Sequence, residues 1–267
     1  MQVHAITDNW CDFRPDELIA EIRQIALRAG AVILDIYGRE FRVSEKADAS
    51  PVTEADEAAE RVIVAALRAM TPEIPVIAEE EIAAGRTETM TEDRFWLVDP
   101  LDGTKEFIAR NGEFTVNIAL IERGLPVLGV VHAPALGSTY TGAGPGTAVA
   151  ETGGGTPQPI SVRHIPPDGA VVVSSRSHGN QEQLRQLTKR IKVAGSRSAG
   201  SSLKFCLVAC GEADLYPRFG RTCEWDTAAG HAVFAAAGGS VCTVDGPDLK
   251  YGKPEFYNPH FIARGLD

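Results

Sequence analysis

The stretch FWLVDPLDGTKEF, residues 95–107, decides how this chain is read. It opens as an apolar run, Phe95-Trp96-Leu97-Val98, with the pattern of a buried strand. It then sets Asp99 and Asp102 around Pro100-Leu101, with Glu106 close behind. Carboxylates so placed repel one another at the end of a buried element. An Asp-Gly turn at 102–103 would account for one acid, but a turn does not need two acids around a proline. Hard cations such as Mg²⁺ take oxygen ligands, and two carboxylates can share a pair of them about 4 Å apart in phosphate chemistry. Gly103 and Thr104 would then offer backbone N–H groups, and a helix beginning near Lys105 would aim its positive end at a phosphate.

Two more acidic stations flank this one. Glu79-Glu80-Glu81 directly follows the short apolar run PVIA (75–78), and Asp226 opens the helical pattern DTAAGHAVFAAAG (226–238). Each falls where a strand or turn ends, the place where side chains converge on a crevice. Alone, the glutamate run reads as a solvated loop and Asp226 as a helix N-cap. No histidine-based machinery competes: none of His4, His132, His164, His178, His231 and His260 forms an HExxH-like pair. There is no GxSxG elbow and no DxDx(T/V) start of an aspartyl-phosphate enzyme. Metal-activated water is therefore the expected nucleophile, with the Thr104 hydroxyl passing a proton toward a carboxylate.

Outward from these stations the pattern divides. PDELIAEIRQIALRAGAVILDIYG (15–38) places Leu18, Ile22, Ile25, Ala29, Val32, Ile33 and Ile36 at helical spacing, with Pro15, Asp16 and Glu17 suited to its first turn and Gly38 to its stop. A second helix is expected over 54–70, and the polar RVSEKADASPVTEAD (42–56) between them reads as an exposed loop. Strands follow at 75–78, 95–98, 115–124, 125–134 and 138–144, with the short Gly/Pro punctuation of an antiparallel meander. The Gly/Pro-rich 142–159 contains an apolar TAVA and favours hairpin turns over a linker. After Pro167 strands and helices alternate: strand 170–175, helix from about Asn180, strand near 192–195, helix 202–211, strand 213–219, helix 226–238 and strand 239–244. The expected class is α/β, with an α+β half over 1–165 and an α/β half over 166–267.

Composition restricts the partners. At 267 residues, with 44% hydrophobic and 23% charged residues, the chain has the make-up of an ordinary globular protein with a sizeable core. A formal net charge of −10 argues against a nucleic acid or an anionic membrane as main partner. A small anionic ligand stays open, because a metal or a local Lys/Arg cluster inverts the field. The five cysteines contain no CxxC pair and read as small buried hydrophobes in a reducing compartment. The N-terminus lacks the pattern of a signal peptide and no window is apolar enough for a span, so a cytoplasmic protein is expected, with peripheral association at the inner face of a bacterial inner membrane left open.

The three stations together resemble the signature of the Mg²⁺-dependent, Li⁺-sensitive inositol monophosphatase superfamily. Its acid pair in D-P-(I/L)-D-G-T is matched by Asp99–Thr104, its upstream E-E by Glu79-Glu80 and its downstream W-D by Trp225-Asp226, in that order. The resemblance covers essentially the whole chain. Within the superfamily, residues 99–134, SRSH (175–178), 200–220 and WDTAAGHAV (225–233) resemble the 3′(2′),5′-bisphosphate nucleotidase branch. Lys105-Glu106 stand where inositol monophosphatases usually carry Thr-Asn.

The resemblance implies a layered α-β-α-β-α fold and hydrolysis of adenosine 3′,5′-bisphosphate to AMP, which clears a by-product of sulfate assimilation. An inositol monophosphatase or a fructose-1,6-bisphosphatase-like sugar phosphatase of the same chemistry is the alternative. A binding protein on a dead scaffold would have lost ligands, and none is lost. The implied ligands of two or three Mg²⁺ are Glu79, Asp99, Asp102, Asp226 and the Leu101 carbonyl. Asp56 and Thr104 match the pair that activates water, with Lys46 and Glu80 nearby. For the nucleotide, Gly103 and Thr104 face the scissile phosphate together with Asp226. Lys105, Arg176, Lys204 and Arg218 are candidates for the second phosphate, Gly200 and Ser201 for backbone and hydroxyl contacts, and His178 for sugar or base. Arg176 and His178 could equally sit in a solvated loop, and Lys204 could snorkel from an apolar helix. The expected assembly is a monomer or homodimer.

Overall fold

The first helix, α1 (Pro15–Tyr37), buries Leu18, Ile22, Ile25, Ala29, Ile33 and Ile36 as one stripe. This is a computed structural model, and it describes residues 14–46, 50–86, 93–175, 182, 189 and 191–266. Gly38 follows α1 in an ordinary right-handed conformation, φ −73°. The helix end is instead satisfied from a distance, because the Arg110 guanidinium donates to the carbonyls of Tyr37 (2.6 Å) and Arg39 (2.9 Å). The segment expected to be an exposed loop contains a short antiparallel hairpin, β1 (Val43–Glu45) with β2 (Pro51–Thr53). Its strands are three residues long, too short for a periodicity to register. Thr53 ends β2 and caps α2 (Glu54–Met70), which shares one apolar core with α1.

That helix pair covers one face of a seven-stranded sheet. Its strands are β3 (Val76–Ala78), β4 (Arg94–Asp102), β5 (Thr115–Glu122), β6 (Leu125–Ala133), β7 (Ser138–Gly142), β8 (Val149–Thr152) and β9 (Gln158–Pro159), adjacent in chain order. All neighbours pair antiparallel except β3 with β4, which are parallel and joined through the short helix α3 (Glu79–Ala83). The meander is as expected, and the Gly/Pro-rich stretch forms the β8–β9 hairpin. The glutamate run is a helical turn rather than a loop. Period two holds over the first half of β4: Trp96 and Val98 join the core beneath α1 and α2, while Phe95 and Leu97 join the core on the opposite face.

On that opposite face lie α5 (Leu203–Ala209) and α6 (Trp225–Ala236), the short helix α4 (Thr104–Ile108) having followed β4 directly. Helix α6 approaches the sheet backbone closely. A Cβ on Gly129 would stand 2.6 Å from the Ala229 carbonyl, and one on Gly142 would stand 2.7 Å from the Ala236 methyl. Beyond these helices is a second sheet of β10 (Ala170–Ser175), β11 (Val193–Ala199), β12 (Leu215–Arg218), β13 (Ser240–Thr243) and β14 (Phe261–Arg264), in the order β11-β10-β12-β14-β13. The first three are parallel and β14 runs antiparallel to both neighbours. Strand β14, four residues between Pro259-His260 and Gly265, was not expected from the sequence, and β11 extends to Ala199, past the anticipated 192–195.

The layer order is therefore helices, sheet, helices, sheet, in agreement with the expected α/β fold. The outer helix anticipated from about Asn180 lies outside the described residues. No helix among the described residues is long and apolar enough to cross a membrane. Cys206 is buried, Cys210, Cys223 and Cys242 are partly so, and all four are free thiols.

Candidate active site

The acid pair owes its geometry to a β-bulge. On β4 and β5, Asp99 is opposite Asn117 and Asp102 is opposite Thr115, so three steps along one strand match two along the other. In an unbroken strand, residues three apart face opposite sides. The extra residue turns Leu101 into the core beneath α1 and α2 and leaves both acids toward the α5/α6 layer. The Asp99 carboxylate accepts from the Leu101 N–H at 3.0 Å, which pins the bulge. The chain then enters α4 through Gly103 at φ +95°, where a Cβ would stand 3.2 Å from the Glu113 carbonyl. The helix starts at Thr104, one residue before Lys105.

Thr104 meets Asp56 across the fold. Its hydroxyl lies 3.1 Å from Asp56 Oδ1 and 3.4 Å from the Leu101 carbonyl. Asp56 is the third residue of α2 and completes a capping box, since its Oδ2 accepts from the Thr53 N–H and hydroxyl, each at 2.7 Å. The helix-start reading of Asp56 and its link to Thr104 thus hold together, one carboxylate oxygen serving each. Burial pushes the Asp56 pKa up to about 6 against those hydrogen bonds.

Lys46 leaves the end of β1 and places its ammonium between Glu79 (2.5 Å) and Glu80 (2.7 Å). Burial works against its charge, but the two glutamates outweigh it and raise its pKa. Burial, with the Glu79 charge added, carries Glu80 up to about 8. Behind them the Glu80 N–H donates to the buried Glu60 carboxylate at 2.7 Å. Asp226 is the second residue of α6, and the N-cap position belongs to Glu224. Asp226 Oδ2 accepts from the Cys223 N–H at 2.9 Å. Asp99 and Asp226 are both pushed well above the carboxylate range, first by burial and then by neighbouring acids. Asp102 rises to about 6, its burial offset by Lys204 and Asn117.

A cleft of about 260 Å³ is lined by Glu79, Asp102, Gly103, Thr104, Lys105 and Asp226, together with Ser201, Lys204 and Arg218. Lys204 does not snorkel: it is 5% exposed and its ammonium reaches the Ser201 and Ala199 carbonyls. Burial lowers its pKa to about 8, with Asp102 pulling the other way. The Gly200 N–H is taken by the Glu113 carboxylate at 2.7 Å, and a Gly200 Cβ would stand 2.6 Å from the Glu113 carbonyl. Ser201 sits at φ +42°, its buried hydroxyl without a hydrogen-bond partner. Arg176 and His178 lie outside the described residues.

The sequence reading passed over Asn117, whose amide donates to the Asp102 carboxylate, Thr115, which donates to Asn117, and Ser202, which donates to the Asp226 main-chain carbonyl, as well as Arg221, which lines the cleft with Ser202. Thr115 and Asn117 did leave a signal, as polar residues two apart in an otherwise apolar strand. Among the described residues no three acid, histidine or cysteine side chains already stand as a metal shell. Lys46 holds Glu79 against Glu80. The donor set nevertheless suits a hard divalent cation: four carboxylates and a main-chain carbonyl, all oxygen, with Asp99, Asp102 and Asp226 destabilised as anions by burial.

Known proteins agree with this architecture. The model of the inositol monophosphatase family matches residues 14–263. The chain is 51% identical over 247 residues to the 3′(2′),5′-bisphosphate nucleotidase CysQ of Escherichia coli O157:H7, covering 91% of this chain and 98% of that protein. It is 50% identical over 247 residues to the Salmonella typhimurium CysQ, with the same coverage. The crystal structure of CysQ from Bacteroides thetaiotaomicron superposes with a TM-score of 0.79 at 38% identity, over 94% of this chain and 97% of that one. The chain belongs to the inositol monophosphatase family.

Proposed function

We propose that this chain is a 3′(2′),5′-bisphosphate nucleotidase that hydrolyses the 3′-phosphate of adenosine 3′,5′-bisphosphate to AMP with Mg²⁺. The observation that carries the reading is the Thr104–Asp56 hydrogen bond at the edge of a cleft opened on by Glu79, Asp102 and Asp226. About half the residues are shared with proteins named for that activity, which supports the choice of substrate.

Glu79, Asp99, Asp102, Asp226 and the Leu101 carbonyl would hold two or three Mg²⁺. With divalent cations held there, the buried carboxylates would be neutralised and Lewis-acid polarisation would be available to the reacting phosphate. The remaining work falls to the chain. Asp56 Oδ2 is committed to Thr53, so Oδ1 alone faces Thr104 and accepts its hydroxyl proton. The Thr104 oxygen, with its proton directed away, is left to accept from the attacking water and orient it. That water adds to phosphorus in line with the P–O bond to the 3′-carbon's oxygen, which breaks; the proton the water loses passes by way of Thr104 to Asp56 Oδ1, and the departing 3′-oxygen takes a proton from solvent water to leave as the ribose hydroxyl.

Lys46 balances Glu79 and Glu80 beside this water. Lys105, Lys204, Arg218 and Arg176 supply positive charge for the second phosphate. Lys204 does so while its ammonium shapes the 199–201 turn. Ser201 offers an uncommitted hydroxyl and His178 is assigned to the sugar or base, while Gly103 and Gly200 let the chain close onto Glu113 beside the cleft. In this reading the half spanning 1–165 contributes most metal ligands, and the half spanning 166–267 contributes Asp226 and most nucleotide contacts.

The test is phosphate release with Mg²⁺ from adenosine 3′,5′-bisphosphate, inositol 1-phosphate and fructose 1,6-bisphosphate. The expected result is the highest kcat/KM for the nucleotide. A higher value for either sugar phosphate would overturn the substrate assignment while leaving the metal chemistry in place.

A further inference from the structure

Behind the acid pair Asn117, the third residue of β5, has 1% of its surface exposed. Its amide nitrogen lies 3.3 Å from Asp102 Oδ2 and 3.0 Å from Ser202 Oγ. Its carbonyl oxygen accepts from the Thr115 hydroxyl at 3.0 Å. Ser202, 2% exposed at the N-cap of α5, donates its only hydroxyl proton to the main-chain carbonyl of Asp226 at 2.7 Å. The donor count fixes every direction in this chain. Ser202 has no proton left for Asn117 and must accept from it, and Asp102 as a carboxylate can only accept. A flipped amide would face two acceptors with an oxygen, so the orientation is forced.

The geometry points to Asn117 and Ser202 as a strut that sets the separation of Asp102 from Asp226, and with it the affinity of the acid cluster for divalent cations. The two acids come from different layers: Asp102 from the end of a strand in the seven-stranded sheet, Asp226 from the first turn of α6. Covalent connection between them runs through more than a hundred residues, whereas the strut crosses in two side chains. A neutral double donor suits the task. It stabilises Asp102 as an anion without adding to the positive charge that Lys204 already brings to it. Asn117 and Ser202 are thus positioning residues, acting through Asp102 and Asp226, and the inference rests on the metal-dependent reading above.

The experiment is isothermal titration of Mg²⁺, and of Mn²⁺ as a tighter probe, into substrate-free enzyme. It compares wild type, Asn117→Val, Ser202→Ala and the double variant, each checked for native near-UV circular dichroism. Partners that orient metal ligands are worth about 10- to 100-fold in metal affinity. Each single variant is therefore expected to weaken cation binding by about that factor, and the double variant no further than the worse single, because both remove one connection. Asn117→Asp, isosteric but presenting an acceptor to Asp102, is expected to have a lower metal-free Tm than Asn117→Val, and an equal or higher one overturns the donor role. Folded variants whose cation affinity stays within twofold of wild type, or single effects that simply multiply, overturn the strut. A wild-type enzyme that neither binds Mg²⁺ nor turns over with it overturns the metal-dependent reading instead. If Asn117→Val fails to fold, Ser202→Ala alone decides, since it keeps the helix N-terminus and removes only the hydroxyl.

Discussion

Thr104 and Asp56 stand 48 residues apart in sequence and 3.1 Å apart in space, hydroxyl to Oδ1, while Oδ2 of the same carboxylate is occupied by Thr53. The pair therefore has a defined polarity: Asp56 Oδ1 is the nearer acceptor for the Thr104 proton, ahead of the Leu101 carbonyl at 3.4 Å, and the Thr104 oxygen is left for a third party. Thr104→Val and Asp56→Asn should each lower kcat by about 10²- to 10⁴-fold, the usual worth of a general base. Thr104→Ser should recover most of it. A Thr104→Val enzyme with kcat near wild type would remove the hydroxyl from the reaction.

Asp99 is expected to be needed for function and costly for stability. Its carboxylate is buried at 2% exposure and crowded by Glu79, Asp102 and Asp226. Asp99→Asn keeps the shape and an acceptor for the Leu101 N–H, and removes the charge. Mg²⁺-dependent turnover should vanish, while Tm measured in EDTA should rise by about 2–4 °C for each kcal/mol of repulsion relieved. A fall in that Tm would mean the anion is better solvated than its burial suggests.

Acid sensitivity should have a distinct origin in His231. It lies on α6 between the sheets, 3.0 Å from the Tyr251 hydroxyl, and burial lowers its pKa to about 3. In the unfolded chain an imidazole titrates near pH 6.5. Between those values the unfolded state binds the extra proton, so stability falls as the pH drops below about 6.5, by up to about 1.4 kcal/mol per pH unit. His231→Gln should flatten that limb in urea-unfolding curves taken from pH 7 to pH 4.5. An unchanged slope would assign the acid limb to other groups.

Arg110 should matter for stability alone. Its guanidinium caps the end of α1 and lies over the rings of Tyr37 and Phe41, at 5.3 Å from each. Arg110→Ala should lose about 1 kcal/mol, or about 2–4 °C in Tm, with kcat/KM unaltered. A large kinetic effect would tie the end of α1 to the site.

The legible parts of this protein are those written locally. The DPLDGT acids, the glutamate pair and Trp225-Asp226 were readable because each station sits at the end of an element whose period the sequence declares. The meander and both long helices were legible for the same reason. What escaped depends on partners distant in sequence. The bulge exists only in the register against Asn117 and Thr115. Lys46 looked like part of an exposed loop because its hairpin strands are three residues each, and its two glutamates come from α3. Asp56 looked like a choice between a cap and a functional residue, and only the third dimension shows that its two oxygens take different partners, Thr53 and Thr104. The engagement of the Gly200 N–H by Glu113 left no mark in the local sequence around Gly200.

The D-x-x-D spacing can be restated as a matter of parity. A strand sorts its side chains into odd and even, and an interval of three would send Asp99 and Asp102 to opposite sides of the sheet. The partner strand does not count one of the intervening residues, so three behaves as two. Deleting Pro100 or Leu101 shortens the motif by one residue, yet its main consequence would be to close the bulge and restore plain alternation. Asp102 and Asp99 would then stand an even step apart with no looped-out carbonyl between them. The motif would keep both of its acids on one side and lose the oxygen of Leu101 that the bulge presents beside Thr104.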